Sequence, residues 1–113
     1  MHPFVGAFPI LPGKEEAAKA FAKEVNRRMT ELDASEKRLG VSKEFWALAS
    51  SPQGSMVLVY FEGQDIEKTF TDFANSKDPF DVWYKNQVKE FTGVDLGAPP
   101  SGPLPEKLML YGY

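Results

Sequence analysis

Residues 43–63, KEFWALASSPQGSMVLVYFEG, decide the fold. Two apolar runs, rich in aromatic and β-branched side chains, flank Pro52, Gln53 and Gly54. That pattern reads as two antiparallel strands joined by a tight turn. A three-residue loop with Gly54 in the left-handed position predicts one register. In it Trp46 meets Tyr60, Leu48 meets Leu58 and Glu44 meets Glu62, while Phe45, Ala47 and Ala49 meet Phe61, Val59 and Val57. A slip of one residue mixes the two sets. The second strand does not alternate. Val57, Val59 and Phe61 point one way, Met56, Leu58 and Tyr60 the other, and only Glu62 breaks the second row. A half-buried strand has one wet face, so both faces of this one call for cover.

Outward from this hairpin, the preceding segment reads as a strand over Phe4–Leu11, closed by Pro12 and Gly13, followed by a helix over Lys14–Leu39. Ala18, Phe21, Val25, Met29, Leu32 and Leu39 form a single apolar stripe. Glu15 and Glu16 suit the helix start, and Lys37, Arg38 and Gly40 suit its end. A break near Asp33–Ser35 is compatible with the residues there. Beyond the hairpin, Asp65 reads as the N-cap of a short helix whose buried stripe is Ile66, Phe70, Phe73 and Ala74. Residues 75–77 interrupt it. Asp78 and Pro79 then start a further helix, lined by Phe80, Tyr84, Val88 and Phe91 and ended by Gly93. Residues 97–107 are rich in Pro and Gly and read as an extended connector, and LMLYGY (108–113) reads as a last strand. The order strand, helix, strand, strand, helix pair, strand predicts an α+β, ferredoxin-like domain over residues 1–113. Its antiparallel sheet has four strands and its helices lie on one face.

Composition narrows the function. The chain has 113 residues, 42% of them hydrophobic and 13% aromatic, and a net charge of −3. Its basic residues are dispersed among acids, which argues against a nucleic-acid surface. It has no cysteine, which excludes disulfides and thiolate chemistry. No apolar run approaches a membrane span and the first residues lack a signal-peptide pattern, so the cytoplasm is the expected compartment. Helices on one side leave the other sheet face bare. Trp46, Leu48, Met56, Leu58 and Tyr60 are then expected to form an exposed apolar patch. A second copy of the chain is its expected cover.

The opening FPILPGKEEAAKAFAKEV resembles the strand, Pro-Gly-Lys turn and acidic helix start of antibiotic-biosynthesis-type monooxygenases. The element order resembles the dimeric α+β barrel superfamily, and VLVYFEG with FANSKDPFDVWYK is similar to short uncharacterised bacterial proteins within it. The resemblance implies a homodimer with a pocket near the interface in each subunit. Its members include cofactor-free oxygenases, haem-degrading enzymes, lyases, isomerases and proteins without a known reaction. The haem-degrading pattern wants a helical His beside an Asn and a Trp. The one histidine here is His2, in the terminal segment, so no cofactor is expected.

Among the residues that carry chemistry, Glu62 is the candidate acid or base, because a nearby Glu44 would raise one of two pKa values. Placement of both at a solvated sheet edge is the other reading. Trp46, Leu48, Leu58, Tyr60, Glu62 and Trp83 are the candidate ligand-binding residues. Trp46 and Tyr60 serve equally well as pocket lining or as interface packing. Three functions are open: a homodimer binding a small apolar or aromatic molecule, a cofactor-independent monooxygenase acting on a phenolic or polyketide-like substrate, and a structural or regulatory dimer.

Overall fold

A computed structural model describes residues 1–98 and 102–112. Its elements are β1 (His2–Pro9), α1 (Glu15–Arg27), α2 (Met29–Leu39), β2 (Val41–Ser51), β3 (Gly54–Gly63), α3 (Ile66–Asn75) and α4 (Pro79–Thr92). The sheet is antiparallel, three-stranded and ordered β1-β3-β2. This arrangement is compatible with a ferredoxin-like fold, but the expected fourth strand is absent among the described residues. Residues 103–112 carry no regular structure, and the side chains of Leu108 and Tyr111 are 90% and 91% exposed. An apolar run has the right composition for a strand, but a strand also needs a backbone ladder, and no described segment pairs with this one. Residues 99–101 of the expected connector, and Tyr113, lie outside the described residues.

The central hairpin is shifted by one residue from the expected register. Ser51 pairs with Gly54, so Pro52 and Gln53 alone form the loop. The Ser51 hydroxyl donates to the Gly54 carbonyl at 3.0 Å and accepts from the Gln53 N–H at 3.3 Å. Glu44, Trp46 and Leu48 therefore pair with Phe61, Val59 and Val57, and Phe45 and Ala47 with Tyr60 and Leu58. Because side chains alternate, the slip carries β2 from Lys43 onward across the sheet. Trp46 and Glu44 join the helix side, while Phe45 moves to the outer face. The expected pairs Trp46–Tyr60, Leu48–Leu58 and Glu44–Glu62 do not form.

The helices pack on the face that holds Phe4, Val57, Val59 and Phe61, all buried. Phe21 of α1 is the hub of the core. Its ring lies 5.0 Å from Tyr84, 5.3 Å from Phe91, 5.4 Å from Trp83 and 5.6 Å from Trp46. Phe4, Phe61 and Phe70 form a second aromatic group with centroids 4.9–5.7 Å apart. Contacts at these spacings add about 0.5–1.5 kcal/mol each beyond area burial.

Caps form where the sequence places them. Asp65 accepts from the Lys68 N–H, and Asp78 accepts from the N–H groups of Phe80 and Asp81, with Pro79 as the first residue of α4. Gly40 ends α2 at φ 73°. The long helix breaks at Arg28, not near Asp33–Ser35. The Arg28 guanidinium lies 4.6 Å from the Trp83 ring and 5.0 Å from Phe80, and pairs with Glu31. Tertiary stacking, absent from any local pattern, fixes the kink.

Candidate functional site

A cavity of about 80 Å³ lies between the inner sheet face and α2, α3 and α4. Most of its wall is apolar: Phe4 and Phe61 from the sheet, Phe70 and Phe73 from α3, Val88 from α4 and Leu32 from α2. Several polar groups on the wall are satisfied within the fold. The Thr69 hydroxyl donates to the Leu39 carbonyl, that of Thr92 to the Val88 carbonyl, and that of Ser35 to Asp81. The remaining polar groups are Glu36 of α2, Glu44 and Trp46 of β2, and Tyr84 of α4.

These four make one cluster. The Glu44 Oε2 accepts from the Trp46 indole Nε1 at 2.7 Å and from the Tyr84 hydroxyl at 2.9 Å. The Glu36 carboxyl faces the same cavity, close enough to Glu44 to feel its charge. Burial, then the Glu44 charge, pushes Glu36 from its ordinary 4.5 up to about 9. Asp81 adds to the same direction. Glu36 is therefore a neutral acid at pH 7. Burial first, and Glu44 second, also holds the Tyr84 hydroxyl well above its ordinary value, so it remains a donor.

A second buried network anchors the helix that carries Glu36. Asp81 is fully buried and accepts from the Ser35 hydroxyl at 2.5 Å, the Ser76 hydroxyl at 2.6 Å and the Arg38 guanidinium at 3.3 Å. It ties α2 to α4 next to the carboxyl pair. Among the described residues, no group of three or more His, Asp or Glu side chains is placed to hold a metal ion.

The sequence-derived candidates separate. Trp46 lines the cavity. Leu48 shares its sheet face but is 40% exposed and is not part of the lining. Leu58, Tyr60 and Glu62 lie on the outer face, where the Tyr60 hydroxyl donates to Glu62 at 2.7 Å and Lys43 pairs across from Glu62. Trp83 stacks on Phe21 between α1 and α4, outside the lining. Glu36 and Tyr84 are additions. Glu36 carries a readable signal: it fills the gap between Leu32 and Leu39 in the apolar stripe, at helical spacing from both. No helix of the described residues is long and apolar enough to cross a membrane.

No curated protein and no solved structure matches the chain. The family that does match is not the monooxygenase family its opening motif resembles. Residues 1–97 match the family of unknown function DUF6176, and the chain belongs to that family.

Proposed function

We propose that this protein binds a small, neutral, mostly apolar molecule in the cavity between sheet and helices, with Trp46 in the wall. The observation that carries this reading is the division of the cavity. Its walls are aromatic and aliphatic, and the polar groups left over from backbone bonding gather in one cluster. Small-molecule sites have that composition: apolar walls and a few placed polar groups. At about 80 Å³ the cavity has roughly half the ~150 Å³ that admits benzene, so a ligand of roughly four to six heavy atoms fits only as wall side chains give way. Amide NMR shifts on titration with cyclopentanone, butanone and benzene test it. Millimolar probe is expected to move the amides of Val59, Phe73 and Val88. Unmoved spectra with all three would overturn the reading.

A second observation favours a homodimer through the outer sheet face. Phe45 is 64% exposed there and Val5 58%, beside Met56 and Leu58. These neighbours across the three strands form one continuous apolar surface, which isolated domains seldom leave bare. A second copy, sheet against sheet, covers it by two-fold symmetry. Sedimentation at micromolar concentration is expected to give a dimer that Leu58→Lys converts to monomer. A monomeric wild type would refute it. The cavity lies within one chain, so the ligand reading does not depend on pairing.

A further inference from the structure

Resting on the ligand-binding reading, we propose that Glu36 and Glu44 form an acid–base pair that moves a proton between carbon and oxygen of a small enolisable carbonyl compound held in the cavity. Three features of the site carry this. The first is that two carboxyls from different elements, α2 and β2, line one apolar cavity. Two charges so close in an apolar site cannot both persist, so the pair holds one proton. Secondly, its two members are unequal. Glu44 is the acceptor, with Oε2 fixed by the Trp46 indole and the Tyr84 hydroxyl; Glu36 is the donor. A proton source and a proton acceptor thus stand side by side. Thirdly, the other polar groups of the wall are already engaged within the fold, so the substrate's one polar group is directed to the pair.

Enolisation needs this combination. The Glu44 carboxylate takes a proton from the carbon next to the carbonyl. The electrons of that C–H bond become the C=C bond, and the carbonyl oxygen takes the proton of Glu36. The products are the enol, a protonated Glu44 and a Glu36 carboxylate, so charge and atoms balance and no oxidant or second substrate enters. Proton return from Glu44 to Glu36 resets the pair. Trp46 and Tyr84 are positioning residues in this scheme, holding Glu44. The groups facing Glu36 from packed elements are Glu44 of β2 and Tyr84 and Asp81 of α4, with Arg38 of its own helix bound to Asp81. All three facing groups are acidic, so Glu36 keeps its proton through the neutral range.

The test is deuterium exchange at the α-carbons of cyclopentanone and butanone in D2O, read by loss of the proton NMR signal. Wild-type protein is expected to speed exchange about 100-fold over buffer, the low end for general acid–base catalysis. The protein-dependent part should fall as pH rises through about 9, where Glu36 loses its proton. E44Q should return exchange to the buffer rate. E36Q should lower it at least tenfold and remove the alkaline fall. The exposed control Glu67→Gln should change nothing. The wild-type pH profile stands even if a variant misfolds. If cyclopentanone shifts the cavity amides but exchange stays at the buffer rate, the acid–base role fails and ligand binding survives. If it shifts no amide and exchange stays at the buffer rate, both fail. Exchange undiminished in E44Q also overturns the role.

Discussion

Substituting Glu36 by glutamine should make the protein more stable at alkaline pH and leave it unchanged in mild acid. Glu36 ionises at about 9 in the folded chain and at 4.5 in the unfolded one. Between those values the folded state holds a proton that the unfolded state has released. The stability associated with this group is therefore complete below 4.5 and is lost as pH rises toward 9. One proton corresponds to a slope of about 1.4 kcal/mol per pH unit. From pH 5.5 to pH 8 the loss is then about 3 kcal/mol, a large share of the ~5–15 kcal/mol typical of a domain. The amide of E36Q does not ionise, so its profile should be flat. Carboxyls held low by hydrogen bonds, Glu24 by Arg27, Glu31 by Arg28 and Glu90 by Lys14, titrate below this window. Urea unfolding at pH 5.5, 6.5, 7.5 and 8.5 measures both slopes. Parallel profiles for wild type and E36Q would show that Glu36 is not held neutral, and the argument for the pair would fall.

Three other outcomes follow from the packing. Asp81→Ala leaves the Ser35 and Ser76 hydroxyls without their acceptor and Arg38 with Asp78 alone, and should cost about 3 kcal/mol in urea unfolding. Phe91→Ala empties a site 1% exposed at the aromatic hub; about 3–5 kcal/mol should be lost, read as a lower unfolding midpoint in calorimetry. Removing residues 108–113 deletes the exposed Leu108, Met109 and Tyr111, so the unfolding free energy of the single chain should move by less than about 0.5 kcal/mol.

The fold was legible wherever one residue sufficed to specify it. Gly40, Asp65, Asp78 and Pro79 act through their own backbone or side chain, and each ends or begins a helix as expected. The sheet register was not of that kind. Pro52-Gln53-Gly54 accommodates a two-residue or a three-residue loop, and the apolar residues on both faces of the strands fit either. A normally amphipathic hairpin would have rejected the wrong choice by burying a charge. This one carries Phe45 and Trp46, or Leu58 and Val59, next to each other, so the slip costs nothing that alternation can reveal. The same ambiguity hid the site. With Glu44 on the outer face, the carboxyl pair falls at Glu62, and Glu36, the polar residue of the apolar helix stripe, has no partner. The last strand failed for a related reason: LMLYGY has strand composition, but pairing is a property of two segments and cannot be read from one.

The hairpin register aims Glu44 at the cavity, and a single extra residue lets Val41 share that face. Val41 pairs with Gly63 and Lys43 with Glu62, so the ladder skips Ser42. Val41 lines the cavity, and so do Glu44 and Trp46, three and five positions on. With that register, an uninterrupted strand would give positions 42, 44, 46 and 48 to that face and turn Val41 outward. The bulge shifts the alternation by one, a device that commonly re-aims side chains beside functional sites. Ser42 itself is exposed and its hydroxyl bonds only weakly, at 3.3 Å from the Glu62 carbonyl and 3.8 Å from the Met1 sulfur, so its position in the chain matters more than its chemistry. Ser42→Gly should therefore be nearly neutral. Deletion of Ser42 leaves Val41 opposite Gly63 and Lys43 opposite Glu62 with nothing between them, so the ladder becomes regular and Val41, Glu44 and Trp46 all keep the cavity face. The deletion variant is expected to keep the wild-type Trp46 fluorescence and the wild-type stability slope above pH 5.5. A red-shifted Trp46 or a shallower slope would show that the bulge, and not the hairpin register, sets the face on which Glu44 lies.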